Sequence, residues 1–170
     1  MDGPGKGLRK AASTAALLYF LEVFCLQQGL ITVIVAIGAF VVLPLKALAA
    51  FLRGEKAVSK LRMMKASIYA LMVAASFASI ALNNQLARGK AERIIAACRR
   101  YQSQHGRLPE KLEDVAPEFL PRIPLAKVAL MFNEFEYLSH GGRTSLMWTA
   151  MPPFGRPYYV FEEDRWGALD

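Results

Sequence analysis

At 170 residues, with 54% hydrophobic content and a mean hydropathy of +0.25, the chain is too apolar for an ordinary soluble domain and calls for a search for membrane spans. Its net charge of +7 is unevenly placed: residues 1 to 84 carry nine Lys or Arg against three acids, and residues 85 to 170 carry twelve against eleven. A basic apolar half beside a nearly neutral half argues against a nucleic-acid interface, which needs a basic stripe on a folded surface.

From Ala11 to Leu52 the only charged side chains are Glu22 and Lys46. One helix over that stretch would run roughly 63 Å, about twice the hydrocarbon thickness of a bilayer. The natural break is Gln27, Gln28 and Gly29, where two amides and a weak helix former interrupt the apolar run. The expected structure is two antiparallel spans, about 11–26 and 30–50, joined by a tight turn. A second arrangement lays 11–28 along the membrane interface and keeps only the later run as a span. A secretory signal is the other reading of the first 28 residues, but no small-x-small site follows the apolar run, so the segment is expected to be retained. Pro44 predicts a bend in the second span.

Glu22 stands out, because an ionised carboxylate near mid-membrane is disfavoured by roughly 2.5 to 3.5 kcal/mol. Two readings remain open for it: a contact with a partner subunit, or a polar tether inside the hairpin to Gln27 or Gln28. A proton relay would want a second intramembrane acid or His.

Residues 53–65 hold five basic side chains and one acid, and an apolar run follows from Ala66 to Leu82. The positive-inside rule makes 53–65 a basic cytoplasmic loop, and it places the N-terminus, with Lys6, Arg9 and Lys10, on the same side. The hairpin supplies the even number of crossings this requires. Residues 66–84 then leave the cytoplasm, and residues 85–170 form a domain on the outer side.

The polar residues Asn83, Asn84 and Gln85 mark the headgroup region, beyond which Ile94, Ala97, Cys98 and Tyr101 fall at i, i+3, i+4 and i+7, one apolar helical stripe. Lys90, Arg93, Arg99, Arg100 and Gln104 are read as the opposite, exposed face. Gly89 is a weak point for a kink, and Gly106 suits the left-handed position after the helix end. Pro109 opens a short helix with acids in its first turn and Leu112 and Val115 on its buried side. Phe135 and Tyr137 then alternate with Glu134 and Glu136, Gly141-Gly142 forms a hairpin turn, and Leu146 and Trp148 alternate in the answering strand. Residues 158–166 read as a last strand and turn.

The order of a membrane helix, an amphipathic helix with Tyr101, then Gly106, Leu108, Pro109, Leu112, Pro117, Phe119, Leu120, Pro121, Ile123 and Pro124 before a short aromatic-rich sheet resembles the type II secretion pseudopilins and the wider type IV pilin-like superfamily. The resemblance covers about residues 66–170 and implies a pilin-like α+β fold. Two family features have no counterpart here. No prepilin peptidase site precedes Ala66, since Gly7 and Glu22 are too far apart to mimic one, and the apolar stretch 125–132 stands where a calcium loop would be acidic.

Cys25 and Cys98 have no second Cys or His at ligand spacing and read as small buried side chains. His105 and His140 sit beside glycines at turns, the acids 162–164 read as a solvated turn, and no nucleophile, phosphate loop or metal-ligand pattern occurs. Catalysis, cofactors and metals are therefore not expected. Phe154, Tyr158, Tyr159 and Trp166 are the aromatic candidates, with Glu22, for contact with a partner.

Together these features predict a membrane protein with N-terminal transmembrane helices and an outer α+β domain, a long spine helix packed on a small antiparallel sheet. The function expected is a non-enzymatic subunit of a bacterial inner membrane, multi-pass, with a cytoplasmic N-terminus and a periplasmic domain. It would serve a secretion or pilus-related apparatus or a larger membrane complex; the alternative is a periplasmic sensor or binding module signalling through the spine. Membrane lipids and other integral membrane or envelope subunits are the expected partners, and nucleic acid is not.

Overall fold

The computed structural model describes residues 4–27, 29–151 and 155–169. It divides into two compact units, Met1–Ile80 and Ala81–Asp170.

In the first unit, α1 (Pro4–Phe20) continues into a π-helical stretch, Leu21–Leu26, and stops where Gln27 takes a left-handed conformation (φ 51°). The chain restarts after Gly29 (φ 73°) as α2 (Leu30–Ile37), a second π-helical stretch (Gly38–Val42) and α3 (Leu43–Leu52). The turn thus falls where the two amides and the glycine interrupt the apolar run. Pro44 is absorbed without a break: the Leu43 N–H reaches back five residues to the Gly38 carbonyl, and this widened turn makes room for a residue that cannot donate.

The third helix, α4 (Lys56–His105), is 50 residues long, about 75 Å at the usual rise. Its start corrects the expected loop at 53–65, which is only the short turn Arg53–Glu55 ahead of α4. Gly54 (φ 80°) provides that turn, and beyond it Lys, Leu, Arg, Met and Ala are good helix formers with no breaker among them. Gly89 does not interrupt α4 either. Ala15, Met72 and Val73 form the core of the first unit, with Leu18, Tyr19, Ile31, Val35 and Ile68 packed around it, and the Tyr19 hydroxyl shares a 2.8 Å hydrogen bond with Ser79. Leu30–Leu52 and α4 are each long and apolar enough to cross a membrane.

In the second unit α4 ends at His105, and Gly106 (φ 73°) caps it by donating its N–H to the Gln102 carbonyl at 2.8 Å. The short helix expected after Pro109 is a single 3-10 turn, Leu112–Val115, with both named residues buried. Four strands follow: β1 (Glu136–His140), β2 (Arg143–Met147), β3 (Arg156–Val160) and β4 (Arg165–Leu169), antiparallel in the order β1-β2-β3-β4. Gly141 (φ 60°) and Gly142 (φ 79°) form the two-residue turn between β1 and β2, the mirror-image geometry that matches strand twist.

The sequence suggested one closing strand where the structure has a β3–β4 hairpin. The segment Arg165–Leu169 hides its strand character behind a glycine and an alanine, yet Gly167 pairs with Tyr158 and that ring lies directly over it. A Cβ at Gly167 would stand 2.3 Å from the tyrosine ring, so the glycine makes room for an aromatic lid.

The sheet packs on one stripe of α4. Ala87, Ala91, Ile94, Ala97 and Cys98 are fully buried against Leu146, Trp148, Tyr159 and Phe161, with Leu112 and Val115 completing the core. A long helix on a small four-stranded antiparallel sheet is an α+β arrangement compatible with a pilin-like fold.

Arg99 departs from its expected place on a solvated face. Its guanidinium donates to the Phe161 carbonyl at 2.5 Å and to the Tyr159 hydroxyl at 3.3 Å, and it lies 3.6 Å from the Asp164 carboxylate. Ile94→Ala should cost about 2 to 5 kcal/mol through the cavity it leaves. Arg99→Ala should cost a smaller but measurable amount, about 1 to 2 kcal/mol, because a part-buried carbonyl loses its charged donor. Trp148 and Trp166, the only two tryptophans, both lie in the second unit, so their fluorescence in thermal melts of the full chain reads these losses there.

Candidate functional site

Glu22 lies at the end of α1, where the π-helical stretch turns its side chain inward; it is fully buried. Its Oε1 accepts the Gly29 N–H at 2.6 Å and its Oε2 the Thr32 N–H at 3.3 Å. These are free donors at the start of α2, which has no side-chain cap of its own because Gly29 occupies the cap position. The carboxylate therefore caps the next helix across the turn, where the helix dipole also favours negative charge. Of the two readings left open, the geometry realises a tether within the hairpin, to backbone N–H groups. The Gln27 N–H bonds the backbone carbonyl of Glu22 at 2.7 Å, closing the π-helical stretch, its Nε2 donates to the Val23 carbonyl at 2.8 Å, and Gln28 lies outside the described residues.

Replacing Glu22 by Leu leaves two N–H donors without an acceptor in apolar surroundings, at about 1 to 3 kcal/mol each. The expected result is a clear drop in the detergent denaturant needed to lose helical circular dichroism. Glu22→Gln, which keeps one acceptor oxygen, should fall between the two.

The aromatic candidates separate. Tyr159 is buried in the core, its hydroxyl donating to Asp164, and its ring centroid lies 5.1 Å from that of Trp166. Trp166 packs half-buried on the same core at 6.0 Å from Trp148, with the Arg88 guanidinium 3.6 Å above its ring. Tyr158 faces the other side of the sheet, over Gly167. Phe154 lies outside the described residues. The candidates thus do not form one patch: Tyr159 and Trp166 join the helix-facing core and Tyr158 the opposite face.

The acids 162–164 are each engaged by protein donors. Glu162 accepts the Thr144 N–H on both oxygens at 2.9 Å. Burial alone would raise its carboxyl, but those bonds and the nearby Arg143 bring it below the ordinary range. Glu163 bridges Arg143 at 2.9 Å and Arg165 at 2.8 Å. Burial pushes the Cys98 thiol up to about 12, which keeps it protonated and unreactive.

A feature missed in the sequence lies between α4 and the segment after the proline run. An open cavity of about 460 Å³ is lined by Lys90, Arg122 and Lys127 together with Leu125 and Val128, and among the described residues no acid lines it. Lys90 Nζ donates to the Leu125 carbonyl at 2.9 Å and to the Ala126 carbonyl at 3.4 Å, while the Val128 N–H reaches Asn83 Oδ1 at 3.5 Å. Lys127 is 1% exposed, with Nζ on the Ala150 carbonyl at 3.1 Å. The available signal was an apolar octet holding one lysine directly after Pro124, a composition that suits neither a solvated loop nor a strand of period two.

Burial lowers Lys127 from its ordinary 10.5 to about 8. Between those values the unfolded chain holds a proton that the folded chain has lost, so stability rises with pH across that window and carries the full penalty below it. Cys98 acts oppositely once pH passes its ordinary 9.0, because only the unfolded thiol ionises there. Tryptophan-detected melting should therefore rise between about pH 8 and 9, and Lys127→Met should flatten that rise.

No protein-family model, curated protein or solved structure matches this chain.

Proposed function

We propose that this chain is a non-enzymatic structural or assembly subunit of a bacterial inner membrane, which holds a pilin-like domain on the periplasmic side for contact with other envelope subunits. The observation that carries this reading is α4. Over Ala66–Leu82 it is apolar and leaves Leu71, Phe77 and Leu82 half or more exposed, as a lipid-facing helix does; from Ala87 to Cys98 the same helix supplies the buried stripe of an α+β core.

Charge placement supports the topology. A Cβ at Gly7 would lie 3.6 Å from Lys65 Nζ, and Arg62 donates to the Lys46 carbonyl at 2.5 Å, so the basic N-terminal tail and the basic ends of α3 and α4 share one end of the first unit. That end is the cytoplasmic one under the positive-inside rule. The structural character is supported by the polar side chains of the second unit: Arg99, Tyr159, Glu162 and Asp164 are bound to one another or to backbone groups, and Glu163 is bound to Arg143 and Arg165.

The test uses single cysteines in a Cys25→Ser background, since buried Cys98 does not react. Gly5→Cys and Ala57→Cys should resist an impermeant maleimide in spheroplasts while His140→Cys is labelled. Labelling at position 5 with protection at 57 would remove the hairpin topology. In mild detergent the same membranes should yield the chain with stoichiometric envelope subunits, and recovery of a solitary chain would remove the assembly role.

A further inference from the structure

The segment Leu125–Phe132 is a closed loop with its apolar side chains turned outward. The Ala126 N–H bonds the Asn133 carbonyl at 2.7 Å across its base, Asn133 Nδ2 bonds the Ala129 carbonyl at 2.7 Å inside it, and Ala126 is fully buried. Phe132 adopts a φ of 53°, a conformation that residues other than glycine rarely take. On this fixed base Leu125, Val128, Leu130, Met131 and Phe132 are 53%, 57%, 74%, 50% and 47% exposed. Five large apolar side chains are thus displayed by one closed loop of eight residues, an exposure that water disfavours.

The loop's height along α4 decides what covers it. Val128 is bonded to Asn83, the first polar residue after the apolar run that ends at Leu82, and Leu125 and Ala126 are bonded to Lys90, two turns further on. If α4 leaves the bilayer at Asn83, the loop stands at the bilayer surface. Arg122 is exposed beside it and Lys90 half-buried, so cations flank the apolar side chains. Residues 125–132 contain no acid, and Glu134 and Glu136 come only after Asn133 has closed the loop. Apolar side chains with flanking Lys and Arg form the composition that binds an anionic membrane interface.

We propose that the loop Leu125–Phe132, with Lys90 and Arg122, is a membrane-docking surface that seats the outer domain on anionic lipid headgroups of the bilayer α4 crosses. The proposal rests on the membrane reading of α4, and its test separates the two.

An environment-sensitive fluorophore is attached at Leu130→Cys, at Leu71→Cys and at His140→Cys in the Cys25→Ser chain, which is reconstituted into phosphatidylcholine vesicles with and without phosphatidylglycerol. Brominated lipid is the quencher. The expected result is quenching at 71 in both vesicles, quenching with a blue shift at 130 that strengthens with phosphatidylglycerol, and none at 140. Arg122→Gln should lower the ratio of docked to undocked loop roughly fivefold in the anionic vesicles, with unchanged tryptophan emission confirming the fold. Inorganic phosphate should leave the signal at 130 as it is.

Quenching at 71 without quenching at 130 overturns the docking surface and leaves the membrane reading standing. No quenching at 71 overturns both. A blue shift at 130 without lipid quenching assigns the surface to a protein instead, and equal quenching in the two vesicle types, or release by phosphate, removes the anionic headgroup as its ligand.

Discussion

The burial of one face of α4 is the constraint on which the second unit depends. Ala87, Ala91, Ile94, Ala97 and Cys98 recur at three- and four-residue spacing and are all but inaccessible to water. Three of the five are alanines, which let the sheet approach closely and leave space in the core for Trp148, Tyr159 and Phe161. Aromatic bulk on the strands complements small residues on the helix. The strands are only five residues each, and a four-stranded sheet of that size buries its apolar side against α4, with Leu112 and Val115 closing the core.

Polar side chains hold the places where elements change direction. Glu22 caps α2 from across the turn, because the glycine that lets the chain reverse cannot supply a capping oxygen itself. Arg99 holds the β3–β4 turn against α4 through a carbonyl, a phenol and a carboxylate. In both cases a long charged side chain satisfies backbone groups that no regular element would otherwise satisfy. Lys90 does the same for the carbonyls of Leu125 and Ala126 at the base of the apolar loop.

The regular elements were legible where a single period dominated. The hairpin break at residues 27–29, the stripe of Ile94, Ala97 and Cys98, the cap at Gly106 and the Gly141-Gly142 turn each follow from local chemistry. Three features were not. The start of α4 was obscured because charge density in 53–65 resembles a loop although most residues from Lys56 to Lys65 are good helix formers and none is a breaker. Strand β4 was obscured because Gly167 serves Tyr158, a partner nine residues away. Arg99 looked solvated because helical periodicity reports direction, whereas a long side chain can fold back over a neighbouring turn.

The sequence alone determined which segments are apolar, where the chain can turn and which face of α4 is buried, because these rest on side-chain hydrophobicity and on backbone freedom within a few residues. Tertiary structure alone decided what Glu22 caps, where Arg99 reaches, why position 167 holds a glycine and where the loop 125–132 stands along α4. Each of these depends on a bond or a close approach between residues seven to sixty-five apart in the chain, and no local pattern encodes such distances.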